Sequence, residues 1–566
     1  MTQRGLLLSD EDVQRLRDAD GWVGERRDRV IAAAEALTDE PVAEVDTDRP
    51  WGPYLNCAGR RMREIQHCAL AYLLTGRAEF HQRAKASVDA ILDWESWIDP
   101  CHERPDQRYG LMTGIVCQAL AHYLDWCAKA IDEDELREIA DHHRRKAVEP
   151  LLRDMDLPKR FFRETVNNWV AVMVGGAGLM SLLLIDREPF YAEILERCVF
   201  HLRRYFNWVN DDGSTDEGGH YWAFGMEHAL PLMEALRINA DRLPPALRWR
   251  GAHELDRTPA LRQTGYFPLY CIQGDTYVVN FGDTHFGPAE RMEAPLRCLA
   301  ARWEDPHLQW LADRLDSDSP LALIWTDPDL PAEPPTDLLP SRAFHGAGWG
   351  IVRSDLEDPE GFLLAVRAGH NAKTHCHRDL GTFILREAGR SLIVDPGCPQ
   401  YCADYWIHGK FTYGRETIGH NCVLIDGEGQ VHGVAQHAEI TQCEDLGDRK
   451  YMTVEVQAEE SGLALQRRAF EAVLDEPTRV HLTDEVFATR AATITWLFHY
   501  HPEAEVEVRE DCITIANGPV SLHICAAPSD PVSVRVETEH EVPFVAIETA
   551  EPAEYATLEL ECTIEA

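Results

Sequence analysis

Three stretches of this sequence gather side chains that can bind a metal, move protons or grip charge. The densest is AGHNAKTHCHRDLGTFIL, with His370, His375 and His377, followed by VDPG with Asp395 and GHNCVLIDG with His420. Residues two apart on a strand share a face, so a strand here projects His375 and His377 side by side. Two imidazoles and a carboxylate make an ordinary zinc set, completed by water or another donor. The H-x-H spacing by itself also suits surface or hydrogen-bonded core histidines, and a metal requires a third group brought up in space.

The second stretch, Val166-Asn167-Asn168-Trp169, opens a long apolar run. Asparagine is a favoured helix N-cap, which explains one of the pair. A side-chain amide can also donate to a carboxylate and stabilise charge developing there. The third stretch is DDGSTDEGGHYWAFGMEHAL, with Tyr221, Trp222 and Phe224. Such aromatics commonly fill cores, but in a carbohydrate cleft they stack on sugar faces, and a phenol can act as a general acid or base. Arg367, Lys373, Arg378, Lys410 and Arg415 cluster around the histidines. They suit solvated strand ends or the bidentate grip of a polyanion.

These side chains need two kinds of scaffold. Over residues 10–325 the apolar positions recur at helical spacing, as in AIDEDELREIADHHRRKAV and FYAEILERCVFHLRRYFNWV. The segment NWVAVMVGGAGLMSLLLI is apolar almost all round, which predicts an inner helix whose glycines admit a close neighbour. Alternating inner and outer helices predict stacked hairpins in an incomplete (α/α) toroid over residues 1–325. Five prolines in TDPDLPAEPPTDLLP predict an extended linker at 326–340. From 341 to 566 short alternating runs bounded by Gly, Asp and Pro predict an antiparallel β-sandwich. Helices first and strands afterwards imply two domains, not one α/β sheet.

Of the 566 residues, 96 are acidic and 55 basic, a formal charge of −41 that excludes wholesale binding to nucleic acid or an anionic membrane. An anionic substrate then requires a locally basic cleft. The opening MTQRGLLLSDEDVQRLRDAD has no apolar signal-type core, and no run of about 18 apolar residues follows, so a cytoplasmic protein without a transmembrane helix is expected. Sixteen cysteines without C-x-x-C spacing predict reduced, mostly buried thiols.

The ordered set NNW, DGS-x-x-EG-x-x-Y, H-x-H-x-D, VD-x-G and HN-x-V-x-x-DG resembles the heparinase II/III-like polysaccharide lyases, over about residues 50–440. That resemblance implies an α/α toroid followed by an antiparallel sandwich. It implies β-elimination in an acidic, uronate-containing poly- or oligosaccharide of alginate or glycosaminoglycan type, at an interdomain cleft. Asn168, with Asn167 beside it, matches the asparagine that neutralises the uronate carboxylate. Tyr221 matches the catalytic acid, and in some members also the base. His375 matches the histidine that reaches toward substrate, and His377, Asp395 and His420 match the ligands of a structural zinc. Asn167, Trp169, Trp222, Arg378, Tyr405 and Arg415 complete the expected substrate-binding set. Many alginate-cleaving relatives have Asn-His where this chain has Asn168-Trp169, so the base stays open between Tyr221 and His375.

Two other readings compete. An α/α-toroid glycoside hydrolase would need two carboxylates flanking the bond, for which Asp216 and Glu217 are the candidates. Those two are adjacent, where side chains diverge. A non-catalytic carbohydrate-binding protein would have no need of Asn168, Tyr221, His375 and the metal-type residues together. The oligomeric state is not readable from the sequence, a homodimer being plausible on base rates alone.

Overall fold

The helical periodicity of the first half is realised as helical hairpins. In the computed structural model, which describes residues 5–157, 160–164, 166–274, 277–284, 289–398, 400–406, 411–509, 512–529, 531–540 and 542–565, helix Pro53–Thr75 turns at Gly76 into helix Ala78–Leu92. Gly76 has φ 73°, the left-handed conformation that closes a helix, and its N–H bonds Tyr72 O. Helix Asn168–Leu184 turns back as Phe190–Phe206. The chain divides into two units, each discontinuous in sequence. The first comprises Met1–Val209, Tyr221–Arg262 and Glu290–Glu333; the second comprises Asn210–His220, Gln263–Ala289 and Pro334–Ala566.

The first unit is the incomplete α/α toroid. Its inner helices Leu111–Trp126 and Asn168–Leu184 are buried on nearly every side, as their all-round apolarity demands. Their axes approach so closely that side chains are excluded. A Cβ on Gly176 would overlap Gly114 O, and one on Gly175 would overlap His228 O of helix Gly218–Ile238. Among the described residues no helix is long and apolar enough to cross a membrane.

The second unit is antiparallel β. One sheet is a meander of Arg342–Phe344, Trp349–Arg353, Leu363–Arg367, Phe383–Glu387 and Arg390–Ile393. A nine-stranded sheet is centred on Thr478–Ala492 and Ala553–Glu565, and a four-stranded sheet contains Val423–Ile425 and Ile494–His499. Alternate residues such as Val454, Phe470, Leu482, Leu558 and Leu560 face a common apolar core with Phe383 and Trp496. Buried Arg468 donates to Asp484, Gly381 O and Asn421 O, and Asn421 Nδ2 donates to Phe383 O and Val394 O. These bonds fix the backbone that carries Asp395 and His420.

The structure departs from the sequence reading within the second unit, which also takes in residues 210–220 of the span expected to be helical. Within residues 263–289, a span expected to be helical, Tyr266–Cys271 is helix, but Ile272–Gln273 pairs with Tyr277–Val278 in a small hairpin and residues 279–284 are irregular. Residues 371–379 are loop, not strand: the strand Gly369–His370 ends just before. The break has a local cause, since His370 Nδ1 accepts from Ala372 N and folds the chain into a turn.

Candidate functional site

His375 and His377 do lie together, but through a turn rather than a shared strand face. His375 has φ 57°, unusual for a residue with a Cβ. The conformation is held from outside: Asp283 N donates to His375 O at 3.0 Å. Gly282, with φ 63°, makes that approach possible, because a Cβ there would overlap His375 O.

The Asp283 side chain then collects four donors. His375 Nδ1 lies 2.6 Å from Oδ2 and Tyr401 OH donates to the same oxygen at 2.8 Å. His377 Nε2 lies 2.9 Å from Oδ1, which also accepts from Tyr405 OH. Burial would raise the Asp283 pKa, but the hydrogen bonds and charges of the two histidines outweigh it and hold the carboxyl well below its ordinary range. Burial would lower the His375 pKa, and the Asp283 bond, with Asp283 and Glu217 charge, outweighs it in turn, so the imidazole titrates above its usual value. Glu217 Oε1 stands 3.6 Å from His375 Nε2, and the His375 side chain is only 6% exposed. Trp406, 40% exposed, meets the His375 ring edge-on at 6.0 Å.

A metal-type group lies directly behind. One ligand atom each from His377, Asp379 and His420 falls within 4.8 Å of the others, and all three residues are buried. His377 Nδ1, Asp379 Oδ2 and His420 Nε2 have no hydrogen-bond partner among the described residues. Orphaned buried acceptors are costly, and three of them on residues that approach one another this closely fit a cation. The remaining atoms are already engaged: His377 Nε2 with Asp283, Asp379 Oδ1 with Arg367, and His420 Nδ1 with Asp395 Oδ2 at 2.8 Å. A histidine whose far nitrogen donates to a carboxylate is the usual second-shell support of a metal ligand. Asp395 meets His420 through Oδ2, its other oxygen accepting from Gly397 N, and the carboxylate whose ligand atom lies within 4.8 Å of both histidines is Asp379. Burial opposes ionisation of Asp395, but His420 and His377 hold its pKa below the ordinary value.

In the helical unit, Asn167 is the N-cap of helix Asn168–Leu184, accepting from Trp169 N at 3.1 Å, the structural role its residue type allows. Asn168 is fully buried in the first turn. A Cβ on Gly225 would lie 3.6 Å from Asn168 Cβ, and Gly225 is one turn beyond Tyr221 on helix Gly218–Ile238. The structure thus brings the start of one helix beside the face that carries the half-buried Tyr221. Trp169 is half-buried and packs edge-on against His102 at 4.7 Å.

Several expected substrate contacts are packed away. Trp222 has no exposed surface and belongs to the helical core. Tyr405 is 2% exposed, with its hydroxyl on Asp283 and Arg415 4.6 Å above its ring. Arg378 is paired with Glu416, and Lys373 with Asp216 at 2.8 Å. Lys410 lies outside the described residues. With Asp216 held by Lys373 and Glu217 buried beside His375, neither carboxylate is disposed as one of a flanking hydrolase pair. Asp283 was missed because nothing in its spacing links it to histidines 92 residues later. The one available signal was an acid in a Gly-Asp-Thr break after the apolar run Tyr277-Val278-Val279.

A helical toroid followed by an antiparallel β-sandwich, with a histidine and carboxylate group in the sandwich unit, defines a recognisable class. Residues 336–553 match the family model described as heparinase II/III-like, C-terminal. Among solved structures, the chain resembles heparinase III at 16% identity and TM-score 0.66, covering 89% of this chain and 76% of that one. It resembles a mutant of the heparan sulfate lyase HepC from Pedobacter heparinus at 14% identity and TM-score 0.64, covering 100% and 86%. A heparinase III described as the BT4657 gene product matches at 14% identity and TM-score 0.61, covering 99% and 92%. These likenesses establish the fold. No curated protein sequence matches.

Proposed function

We propose that this protein is a polysaccharide lyase that cleaves uronate-containing acidic polysaccharide, of glycosaminoglycan or alginate type, by β-elimination and leaves a 4,5-unsaturated uronate end. The observation that carries the reading is the His375 imidazole, fixed at Nδ1 by the buried Asp283 carboxylate. The names of the structures that share this fold, heparinase III and heparan sulfate lyase, point the same way.

The chemistry assigns each group a task. The C5 proton of a uronate is removable only when the neighbouring carboxylate's charge is neutralised, so that the enolate-like intermediate is stabilised. Asn168 supplies an amide for that purpose. A base, Tyr221 or His375, takes the C5 proton, and Tyr221 as acid protonates the departing O4 oxygen. The residues that would hold zinc are His377, Asp379 and His420. Zinc bound there would brace the 375–379 loop against the residue that leads into strand Val423–Ile425, a structural role with no reaction step passing through it.

The test is incubation with alginate, heparan sulfate, chondroitin, hyaluronan and glucuronan while following near-UV absorbance. A rise with at least one of them is expected. New reducing ends without absorbance would replace elimination by hydrolysis, and neither signal would end the catalytic reading.

A further inference from the structure

We propose that Asp283 is a positioning residue: its single carboxylate sets both the orientation and the proton placement of His375 and His377, leaving Nε2 of the first and Nδ1 of the second as the ends that act. The inference rests on the lyase reading for His375 and on the metal reading for His377. It adds the residue that makes the two roles compatible within one short loop.

A carboxylate only accepts hydrogen bonds, so each ring nitrogen that touches it carries the proton. On His375 that nitrogen is Nδ1, at 2.6 Å. The same logic places the proton of His377 on Nε2, at 2.9 Å, and leaves Nδ1 with a lone pair. That Nδ1 is one of the three buried atoms without a partner. The two rings therefore present opposite nitrogens, and one Asp dictates both. Tyr401 and Tyr405 add a donor to each oxygen, so the carboxylate cannot rotate without breaking bonds on both sides.

Asp283 is itself held in register with the loop it orients. Its N–H bonds His375 O, across the close approach that Gly282 permits. A few residues before it, Asn280 Nδ2 donates to Asp395 O at 2.9 Å, tying the same run to the carboxylate behind His420. Residues 280–283 thus underlie the candidate catalytic histidine and both sides of the metal-type group. An acid placed so could set ring orientation without touching substrate.

The experiment compares full-length, metal-loaded wild type with Asp283→Asn and Asp283→Glu. It reads kcat and KM on whichever polyanion of the panel is cleaved, metal content by elemental analysis, and histidine proton placement by 15N NMR, assigned with His375→Gln. An amide offers one donor and one acceptor where the carboxylate offers two acceptors, so Asp283→Asn must misplace a proton on one ring. We expect kcat to fall at least about a hundredfold with KM within about threefold, metal content to drop by more than half, and a histidine to change tautomer. Asp283→Glu, which restores an acceptor-only group, should recover the tautomers and part of kcat.

Wild-type kcat and unchanged rings in Asp283→Asn would overturn the proposal. If that variant does not fold, the wild-type spectrum decides: an unprotonated Nδ1 on His375 would overturn it and a protonated one supports it. If wild type cleaves nothing on the panel, the lyase reading fails, and the metal and tautomer readouts still judge Asp283.

Discussion

At the scale of single residues, the site is a set of atoms whose hydrogen-bond capacity is either committed or left open. Tyr221 stays half-buried while Trp222 is sealed in the core, so of these two neighbouring aromatics Tyr221 is the one that keeps exposed surface. Tyr221→Phe should reduce elimination at least about a hundredfold and leave the melting temperature nearly unchanged, the usual scale for a lost general acid. Substantial turnover in that variant would remove the tyrosine from the mechanism. The metal-type group makes a second prediction. Asp379→Asn, which keeps an acceptor for Arg367, should strip most of the bound metal, whereas Asp395→Asn should weaken retention by only about 10- to 100-fold. Elemental analysis of both variants separates the two carboxylates, and the reverse order would make Asp395 the direct ligand. The sequence made His375, His377 and His420 conspicuous because their type and spacing are local. It could not reveal Asp283, which meets them through folding alone. Nor could it tell an aromatic that stacks on sugar from one that fills a core, because Trp222 and Tyr405 have the composition of either.

At the scale of elements, the strongest legible signal was apolarity. A helix with no polar face has to be enclosed, and Leu111–Trp126 and Asn168–Leu184 are. The glycines of the second helix were legible for the same reason, and their contacts are backbone to backbone. Gly176→Ala should therefore destabilise the protein by about 3 kcal/mol or more, at the upper end of overpacking effects, since the obstacle at Gly114 O cannot rotate away. A thermal melt within a degree or two of wild type would show that the helices can separate without loss. The strand expected at His375 and His377 failed for a physical reason. A period-two pattern predicts a shared face only if the backbone is extended, and His375 adopts a left-handed φ that the Asp283 loop stabilises from outside. Periodicity cannot see such external support.

At the scale of the whole molecule, the order of helices before strands was legible from composition, while the membership of residues 210–220 and 263–289 in the second unit was not. Short, irregular segments carry no period, and their place is decided by contacts with strands much later in the chain. Stability against acid is another whole-molecule property. In the helical unit, burial holds the pKa of His102 and His228 down at about 4 and that of His122 and His143 at about 3. Unfolded, each would titrate near about 6.5. Between those values the unfolded chain binds protons that the folded one does not, so stability rises with pH and is lost as pH falls. Each group contributes about 1.4 kcal/mol per pH unit across that window. The melting temperature should therefore drop steeply from pH 6 to pH 4, and a flat profile there would mean that these histidines accept protons without unfolding.

The discontinuity of the second unit also governs how the molecule can be made and divided. Residues 336–553 look, from the family match, like a module that could be excised. Yet a fragment beginning at Pro334 would leave behind Asp283, Asn280 and Asp212, whose side chains bond His375, the Asp395 backbone and Gly346 N. During synthesis those segments leave the ribosome well before the strands they bond exist. The early part of the chain must wait, partly unsatisfied, for these later partners, so the histidine group can form only once the chain through His420 has been made.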